Sequence, residues 1–252
     1  MHCAFSWTTT PAASMPLHTG GDIACAVETP DVVRVLIGDV MGHDAEAAVT
    51  AAEVAHAFQA LAAQPDSSQV IATRLDEFIV ERNCGEEFVT AQIVSVPKAR
   101  DEPEIVCCGH PPPLLLRDGR AVVLDEILTA PPLGLLDLSA AQACSCPLGV
   151  RPGDGVLLYT DGVTDARDED GHAFALAEHA ATLGSGGVGD LRTDLLRHAG
   201  RRLRDDATLL HLQFASEQHA RERRSQNNGA PIWFSAHYRS ADMGKQSRQE
   251  HR

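Results

Sequence analysis

The stretch VLIGDVMGHD, residues 35–44, decides how the rest of the chain is interpreted. It is an apolar run that ends at Asp39, followed by a turn that contains Gly42 and by the predicted start of a helix. A short apolar run with β-branched residues, bounded by turn residues, predicts a buried strand. A carboxylate that ends such a strand lies at the edge of a sheet, where a ligand can reach it. Asp39 is therefore the first candidate functional residue.

Composition limits the classes of protein to which the chain can belong. Its 252 residues suffice for one large domain or two small ones, and 44% of them are apolar, which supports a hydrophobic core. The formal net charge of −14 argues against a general nucleic-acid binder and against a surface that docks on anionic lipid, since both need clustered Lys and Arg. The surplus of acid either serves solubility or, where several carboxylates converge, requires a divalent cation.

The seven cysteines indicate neither a zinc site nor a disulfide framework, because their number is odd and no CxxC pair is present. No apolar run approaches the roughly 18–20 residues that a bilayer span requires. The N-terminus is a poor signal peptide as well. We therefore expect reduced thiols, no membrane association and a cytoplasmic location.

The chain divides into three segments by composition. Residues 1–18 are rich in Thr, Pro, Ala and Ser without periodicity, and they predict a disordered leader. Residues 19–214 carry the periodic apolar pattern of one ordered domain. Residues 215–252 are rich in Ser, Gln, Asn, Arg and His, which predicts a disordered polar tail.

Strands and helices are predicted from the spacing of apolar residues. Strands are expected over residues 23–27, 32–37, 88–96, 104–108, 114–117, 156–159 and 207–214. Helices are expected over residues 44–63, around 71–82, and in short segments near 173–183 and 188–202. Hairpin-like strands with helices segregated in pairs predict an α+β fold of antiparallel sheets covered by helices.

Acidic residues occur in a shared local pattern at four places. Asp22 follows two glycines, Asp39 ends the apolar run, Asp161 precedes Gly162, and the pair at 205–206 precedes a strand. Glycine beside the first three carboxylates removes bulk and lets backbone and carboxylate approach a small ion together. Mg²⁺ and Mn²⁺ prefer such oxygen ligands. Two of these ions, roughly 3.5–4 Å apart, can activate water for attack on phosphorus.

Each of these positions also has a plainer interpretation. An Asp-Gly pair is usually a turn, and Asp205-Asp206 alone could be a charged turn before a strand. Asp39 is harder to explain in this way, because it combines a strand end, two spaced glycines and a helix start. Taken together, the positions favour a metal site.

Seven blocks of sequence follow one another in a family-specific order. The blocks are GGD (20–22), GDVMGH (38–43), FVTA (88–91), CGHPPPLLL (108–116), PPLGL (131–135), RPGDGVLLYTDGVTDARDEDG (151–171) and DDATLL (205–210). With them the chain resembles, over about residues 19–214, the SpoIIE/RsbU-type branch of the metal-dependent (PPM) serine/threonine protein phosphatases. Any one of the blocks would be unremarkable, whereas the ordered series is specific.

The resemblance implies a four-layer α-β-β-α sandwich of two antiparallel sheets flanked by helices, with two Mn²⁺ or Mg²⁺ ions at one edge. It implies that Asp39 bridges the ions and that the backbone carbonyl of Val40 binds the second ion. Asp22 would lie beside that second ion, mostly through water. Asp161 and Asp205 would hold the first ion.

The activity that the resemblance implies is hydrolysis of phosphoserine or phosphothreonine in proteins. A metal-bridging hydroxide would attack phosphorus directly, with Asp39, Asp161 and Asp205 as the catalytic residues. The implied substrate is a phosphorylated regulator, such as a STAS-type anti-sigma-factor antagonist in bacterial stress signalling. Because only about eighteen residues precede the domain, we expect regulation by a partner or by homodimerisation. Two alternatives remain: a catalytically silent domain that binds a regulator, and a hydrolase of small phosphate esters.

Two departures from the family pattern concern contacts with the substrate. Residues 23–26 lack the aromatic and acidic pair often found there, and no arginine flanks Asp22. We therefore expect the metal ions and their waters, and not an arginine, to hold the phosphate.

Four residues near the site have roles that the sequence leaves open or assigns to structure. Asp44 stands where the family usually has a small residue, and it is interpreted as a helix N-cap, with added charge near the metals as the alternative. His43 fits a general acid and a structural residue equally well. Asp206 stands where related phosphatases often have asparagine. His110 is expected to fix its proline-rich turn by hydrogen bonding.

Overall fold

The structure, a computed structural model, describes residues 2–10, 20–42, 45–83, 87–98, 102–138, 142–183, 187–200 and 203–215. The strands are β1 His2–Thr10, β2 Asp22–Glu28, β3 Val32–Val40, β4 Val89–Pro97, β5 Glu104–Cys108, β6 Leu114–Arg117, β7 Arg120–Val123, β8 Thr129–Ala130, β9 Ser145–Pro147, β10 Gly155–Tyr159 and β11 Ala207–Ala215. The helices are α1 Ala45–Ala62, α2 Ser68–Asn83, α3 Asp161–Thr164, α4 Leu176–Ala181 and α5 Val188–His198.

The strands form two sheets. The first has the order β2-β3-β4-β5-β8, with β9 also paired to β5, and the second has the order β1-β11-β10-β6-β7. Neighbouring strands are antiparallel except β5 and β8, which form a parallel pair of two residues. The antiparallel sheets predicted from the sequence are therefore present, with this short exception.

β3 lies at the centre of the first sheet, between β2 and β4. Val35, Leu36 and Ile37 are completely buried. Val35 and Ile37 pack between the two sheets, whereas Leu36 packs towards the helices. A strand that is covered on both faces has a nearly continuous apolar sequence, which explains the run that precedes Asp39.

Three hydrophobic clusters define four layers. One joins α1 and α2 to the outer face of the first sheet, and a second lies between the sheets. The third joins α3, α4 and α5 to the outer face of the second sheet. The predicted four-layer α-β-β-α sandwich is thus confirmed.

α1 packs closely on the first sheet because its buried face is made largely of small side chains. Ala47, Ala51 and Ala62 are buried there beside Phe58. Val49, an apolar residue of the same helix, is exposed. It lies on the opposite side of the helix from the buried set, so α1 meets the sheet along its alanine face.

Arg34 on β3 ties that strand to the end of α1. Its guanidinium donates hydrogen bonds to the carbonyl oxygens of Ala62 (2.7 Å), Gln64 (3.0 Å) and Asp66 (2.5 Å). The last carbonyls of a helix have no partner within the helix, so a buried donor at this point stabilises the helix end. The first half of the strand that carries Asp39 is thereby held to the end of the helix that follows it.

Residues 2–10 differ from the prediction of a disordered leader. His2–Thr10 form β1, which pairs with β11 along its whole length and buries Cys3 between the sheets. The prediction was therefore wrong for these residues, because the pairing partner lies about two hundred positions away in the sequence. Residues 11–19 and the predicted tail from 216 onward lie outside the described residues.

None of the helices within the described ranges combines the length and the apolar character that a bilayer span requires.

Candidate active site

Two of the predicted ligands come from neighbouring strands of the first sheet. Asp22 is the first residue of β2 and lies directly opposite Asp39, near the end of β3. Like charges that face each other across two strands repel, so this pairing destabilises the sheet. A pairing that is kept despite this cost indicates a functional role. Perturbed carboxylates of this kind are typical of functional sites.

The carbonyl oxygen of Val40 lies beside the Asp39 carboxylate, where Gly21 makes room for both. A Cβ atom on Gly21 would lie 2.8 Å from the Val40 oxygen and 2.9 Å from Oδ1 of Asp39. The amide of Val40 in turn donates to the Gly21 carbonyl at 3.1 Å. Only glycine fits here, and its small size leaves a carbonyl and a carboxylate oxygen adjacent, a combination that suits a hard cation.

The other two predicted ligands come from the second sheet. Asp161 begins α3, directly after β10, and Asp205 lies in the turn before β11. Gly162 packs on this turn so tightly that a Cβ atom would lie 1.8 Å from the Asp206 carbonyl oxygen. The contact brings the two turns, and with them Asp161 and Asp205, to the same edge of the sheet.

Asp206 connects the two halves of the site. Its side chain is buried and lies against Gly20, where a Cβ atom would be 1.6 Å from Oδ2. Its backbone amide donates to Oδ1 of Asp205 at 2.8 Å. The two residues of the pair at 205–206 therefore differ in exposure: the side chain of Asp205 is exposed, and that of Asp206 is buried.

The acidic residues act on one another electrostatically. Burial, followed by the charges of Asp22, Asp161, Asp205 and Asp206, raises the pKa of Asp39 from 3.8 to about 8. Burial also raises the pKa of Asp22 to about 7, against the effect of two hydrogen bonds. The pKa of Asp161 is raised by burial and then by Asp205. The chain thus brings the predicted ligands into one cluster of carboxylates, which an added cation would stabilise.

The carboxylates of this cluster lie farther apart than the ligands of a bound metal ion. Within the described part of the chain, the one group of three or more His, Cys, Asp or Glu with ligand atoms all within 4.8 Å of one another is Asp168, Asp170 and His172. These residues form an exposed turn in which Asp168 accepts the amides of Asp170 and His172. That turn explains their proximity without an ion. Mutual repulsion gives a reason for the wider spacing of the predicted ligands.

Two threonines that the sequence analysis did not single out contact Asp22. Oδ2 of Asp22 accepts hydrogen bonds from the hydroxyls of Thr160 (3.0 Å) and Thr208 (2.6 Å). Thr160 directly precedes Asp161, and Thr208 lies two residues after Asp206. Their positions beside the predicted ligands were the available signal, but only the fold shows that they point at Asp22.

His110 fixes its proline-rich turn by hydrogen bonding, as predicted. Its Nδ1 lies 2.9 Å from Oγ1 of Thr90, the residue paired with Asp39 on β4. Burial lowers the pKa of His110 to about 4, with the Tyr159 carbonyl opposing the shift. The ring is therefore neutral at neutral pH, which does not suit a cationic general acid. His43 and Asp44 lie outside the described residues, so their roles stay predictions.

Comparison with known families decides the affiliation. Residues 29–215, about three quarters of the chain, match the model of the family described as Stage II sporulation protein E (SpoIIE). The chain belongs to the SpoIIE family. The family predicted from the ordered blocks is thereby confirmed.

Solved structures similar to this SpoIIE-family chain include several bacterial proteins. The RsbU and RsbW domains of a Mycobacterium tuberculosis protein match with a TM-score of 0.71 and 25% identity, over 89% of this chain and 66% of that one. The PP2C phosphatase domain of SpoIIE from Bacillus subtilis, solved with a fragment of its regulatory domain, matches with a TM-score of 0.72 and 13% identity, over 85% and 64%. This chain thus spans less than two thirds of either.

A third similar structure is a PPM Ser-Thr phosphatase from Mycobacterium smegmatis in complex with cacodylate. It has a TM-score of 0.62 and 18% identity, over 84% of this chain and 98% of that one. The two likenesses below 25% identity establish the fold alone.

Gly162→Ala is expected to lower the free energy of unfolding of this SpoIIE-family chain by ~2 kcal/mol or more. The reason is the 1.8 Å approach of the added Cβ to the Asp206 carbonyl. Urea-induced unfolding measures the change. Gly189→Ala on α5 is the control, since no atom lies within 4 Å of its Cβ position. Equal effects of the two substitutions would contradict the proposed contact between the turns.

The raised pKa of Asp39 predicts how metal-free stability depends on pH. Between its unfolded value near 3.8 and its folded value of about 8, the folded chain holds a proton that the unfolded chain has released. Stability therefore falls as pH rises through this window. Asp39→Asn is expected to stabilise the metal-free protein by on the order of 1–3 kcal/mol at pH 8 and far less at pH 4.

Thermal unfolding in the presence of a chelator at the two pH values measures this difference. Asp31→Asn, in the exposed turn between β2 and β3, is the control for a lost surface carboxyl. A gain from Asp39→Asn that is the same at both pH values would show that Asp39 carries no raised pKa.

Proposed function

We propose that the protein is a metal-dependent protein phosphatase that hydrolyses phosphoserine and phosphothreonine. The observation that carries the proposal is the meeting of Asp22 and Asp39 from one sheet with Asp161 and Asp205 from the other, in a chain of the SpoIIE family. Carboxylates gathered in this way must either take up protons or bind a compensating positive charge. Membership of the family favours hydrolysis of phosphate esters as the reason for it.

Two Mn²⁺ or Mg²⁺ ions are the proposed cofactors, and the available oxygen atoms suit them. Asp39 has neighbours of like charge on both sheets, which fits a ligand shared between two ions. Asp161 and Asp205, on the second sheet, would hold the first ion. The carbonyl of Val40 would hold the second, with Asp22 beside it. When bound, the ions would neutralise the phosphoryl oxygens and supply an activated water.

The chain's own contribution is to hold these oxygen atoms in place and to control their protonation. Asp39 is fixed by strands on both sides, and Asp161 by the packing of Gly162 against the next turn. Because the pKa of Asp39 is raised to about 8, ion binding must displace a proton near neutral pH. Ion affinity should therefore rise with pH, which couples activity to the protonation of Asp39.

The proposed substrate is a phosphorylated regulatory protein, such as a STAS-type anti-sigma-factor antagonist. Two similar structures support this choice: one joins RsbU and RsbW domains in one protein, and another is described under the bacterial stressosome. Such a substrate would place the enzyme in the cytoplasm. Homodimerisation and direct attack on phosphorus without a phosphoenzyme remain parts of the proposal.

Activity on an aryl phosphate and on a phosphoserine peptide is expected with Mn²⁺ and is expected to be lost with a chelator. Asp39→Asn, Asp161→Asn and Asp205→Asn should each lower kcat/KM by on the order of 100-fold or more. Asp168→Asn is the matched control, because it removes a carboxylate from the other acidic group near α3. Its activity should equal that of the wild type.

Three results would contradict the proposal: activity that persists in the chelator, full activity of Asp39→Asn, or loss of activity in Asp168→Asn. A comparison of phosphoproteins with small phosphate esters tests the substrate class. A kcat/KM value that is no higher for any phosphoprotein would favour a hydrolase of small esters.

A further inference from the structure

The contacts of Asp22 differ from those of a carboxylate that faces only an ion. Its Oδ2 atom accepts two hydroxyl hydrogen bonds, from Thr160 and Thr208. Both threonines belong to the second sheet or its edge, whereas Asp22 belongs to the first. Both are completely buried. The hydrogen bonds therefore cross the sandwich at the end where the predicted ligands meet.

The direction of these hydrogen bonds follows from the number of hydrogens available. Thr208 has one hydroxyl hydrogen, and its oxygen lies 2.6 Å from Asp22 and 2.9 Å from Oγ1 of Thr9. A carboxylate is the stronger acceptor and lies closer, so Thr208 donates mainly to Asp22, and Thr9 is a second, weaker acceptor of the same hydrogen. Thr160 donates to Asp22 in the same way, while its oxygen accepts the amide of Thr208 at 2.9 Å. Both threonine hydroxyls thus donate to the same carboxylate oxygen of Asp22.

The two threonines are adjacent to the ligands of the other half-site. Thr160 is bonded to Asp161, and Thr208 follows the 205–206 turn on the same strand. Asp22 lies opposite Asp39. A change in the length of these hydrogen bonds would therefore change the separation of Asp39 from Asp161. Without such a link, repulsion between the carboxylates would push the two halves apart.

We propose that Asp22, Thr160 and Thr208 form an inter-sheet clamp that holds the two halves of the site at the spacing required by two cations. Thr160 and Thr208 are then positioning residues that act through Asp22 and the adjacent ligands. This inference rests on the proposed function, because it assigns the clamp to the spacing of the same ion site. It adds a second role for Asp22. Besides placing a negative charge near an ion, Asp22 joins the two sheets through its hydrogen bonds with Thr160 and Thr208.

The test compares isosteric and hydroxyl-retaining substitutions. Thr160→Val and Thr208→Val remove the hydroxyl and keep the shape, whereas Thr160→Ser and Thr208→Ser keep the hydroxyl. Mn²⁺ affinity is measured by titration calorimetry, metal-free stability by thermal unfolding, and kcat and KM by assay of the phosphoserine peptide. The valine variants are expected to bind Mn²⁺ about 10–100-fold more weakly, and the serine variants within about threefold of the wild type.

Ser68→Ala is the control for the loss of a buried hydroxyl that contacts a carboxylate. Ser68 donates to Glu104 at 2.9 Å and contacts Ser95, which lies towards the opposite end of β4 from Thr90. This variant is expected to lose stability and to retain the Mn²⁺ affinity of the wild type. If Thr160 and Thr208 had only a structural role, their valine variants would likewise lose stability and retain the Mn²⁺ affinity of the wild type.

If valine at either position prevents folding, Thr9→Val is the variant to measure, because Thr9 is exposed and its hydroxyl lies 2.9 Å from that of Thr208. Without this contact Thr208 is held less firmly, so Mn²⁺ binding is expected to weaken by about twofold to fivefold. Wild-type affinity in the folded valine variants would overturn the clamp and leave the proposed function intact. A wild-type protein that neither binds Mn²⁺ nor hydrolyses phosphoserine would overturn the proposed function, and the clamp with it.

Discussion

Repulsion among carboxylates is the constraint on which the candidate site depends. Asp39 is affected by the charges of four other aspartates. Two of them lie in the turn before β11, one begins β2 and one begins α3. A fold that brings such groups together needs tight backbone contacts to hold them, and glycine supplies these where Gly21 meets Val40 and Gly162 meets Asp206. It also needs hydrogen-bond donors that stabilise the remaining negative charge. The buried hydroxyls of Thr160 and Thr208 are such donors.

The four-layer fold explains why these residues meet at one edge. β3 is covered on both faces, so its register against β2 and β4 is strongly specified, and Asp39 has little freedom to shift. On the second sheet, β10 and β11 are neighbours, so the residues that follow one and precede the other come together. Ion binding between the two sheets would therefore act on the sandwich as a whole, and the stability of the fold and the affinity for ions should be coupled.

Local sequence patterns predict much of this arrangement, whereas contacts between residues distant in sequence could not be predicted. The apolar run before Asp39 predicted β3, and the ordered blocks predicted the family that residues 29–215 confirm. β1 was missed because its partner, β11, is distant in sequence. The alternation of Cys3, Phe5 and Trp7 was the available signal, but it is short and precedes a stretch rich in Thr, Pro and Ala. The threonine contacts of Asp22 were missed for the same reason, because they join residues that are distant in sequence. The sequence shows that each threonine is close to a predicted ligand, but it does not show which side chain on the opposite sheet the hydroxyl contacts.

The most direct measurement of the central claim is a crystal structure of the protein with Mn²⁺, with the ions located by anomalous scattering. The account predicts two peaks between the sheets, one shared between Asp39 and the Asp161 and Asp205 carboxylates and one beside Asp39 and the Val40 carbonyl. The ion–oxygen distances should be near 2.1 Å, about the value for small hard cations. A single peak at the exposed turn of Asp168, Asp170 and His172, with none between the sheets, would contradict it.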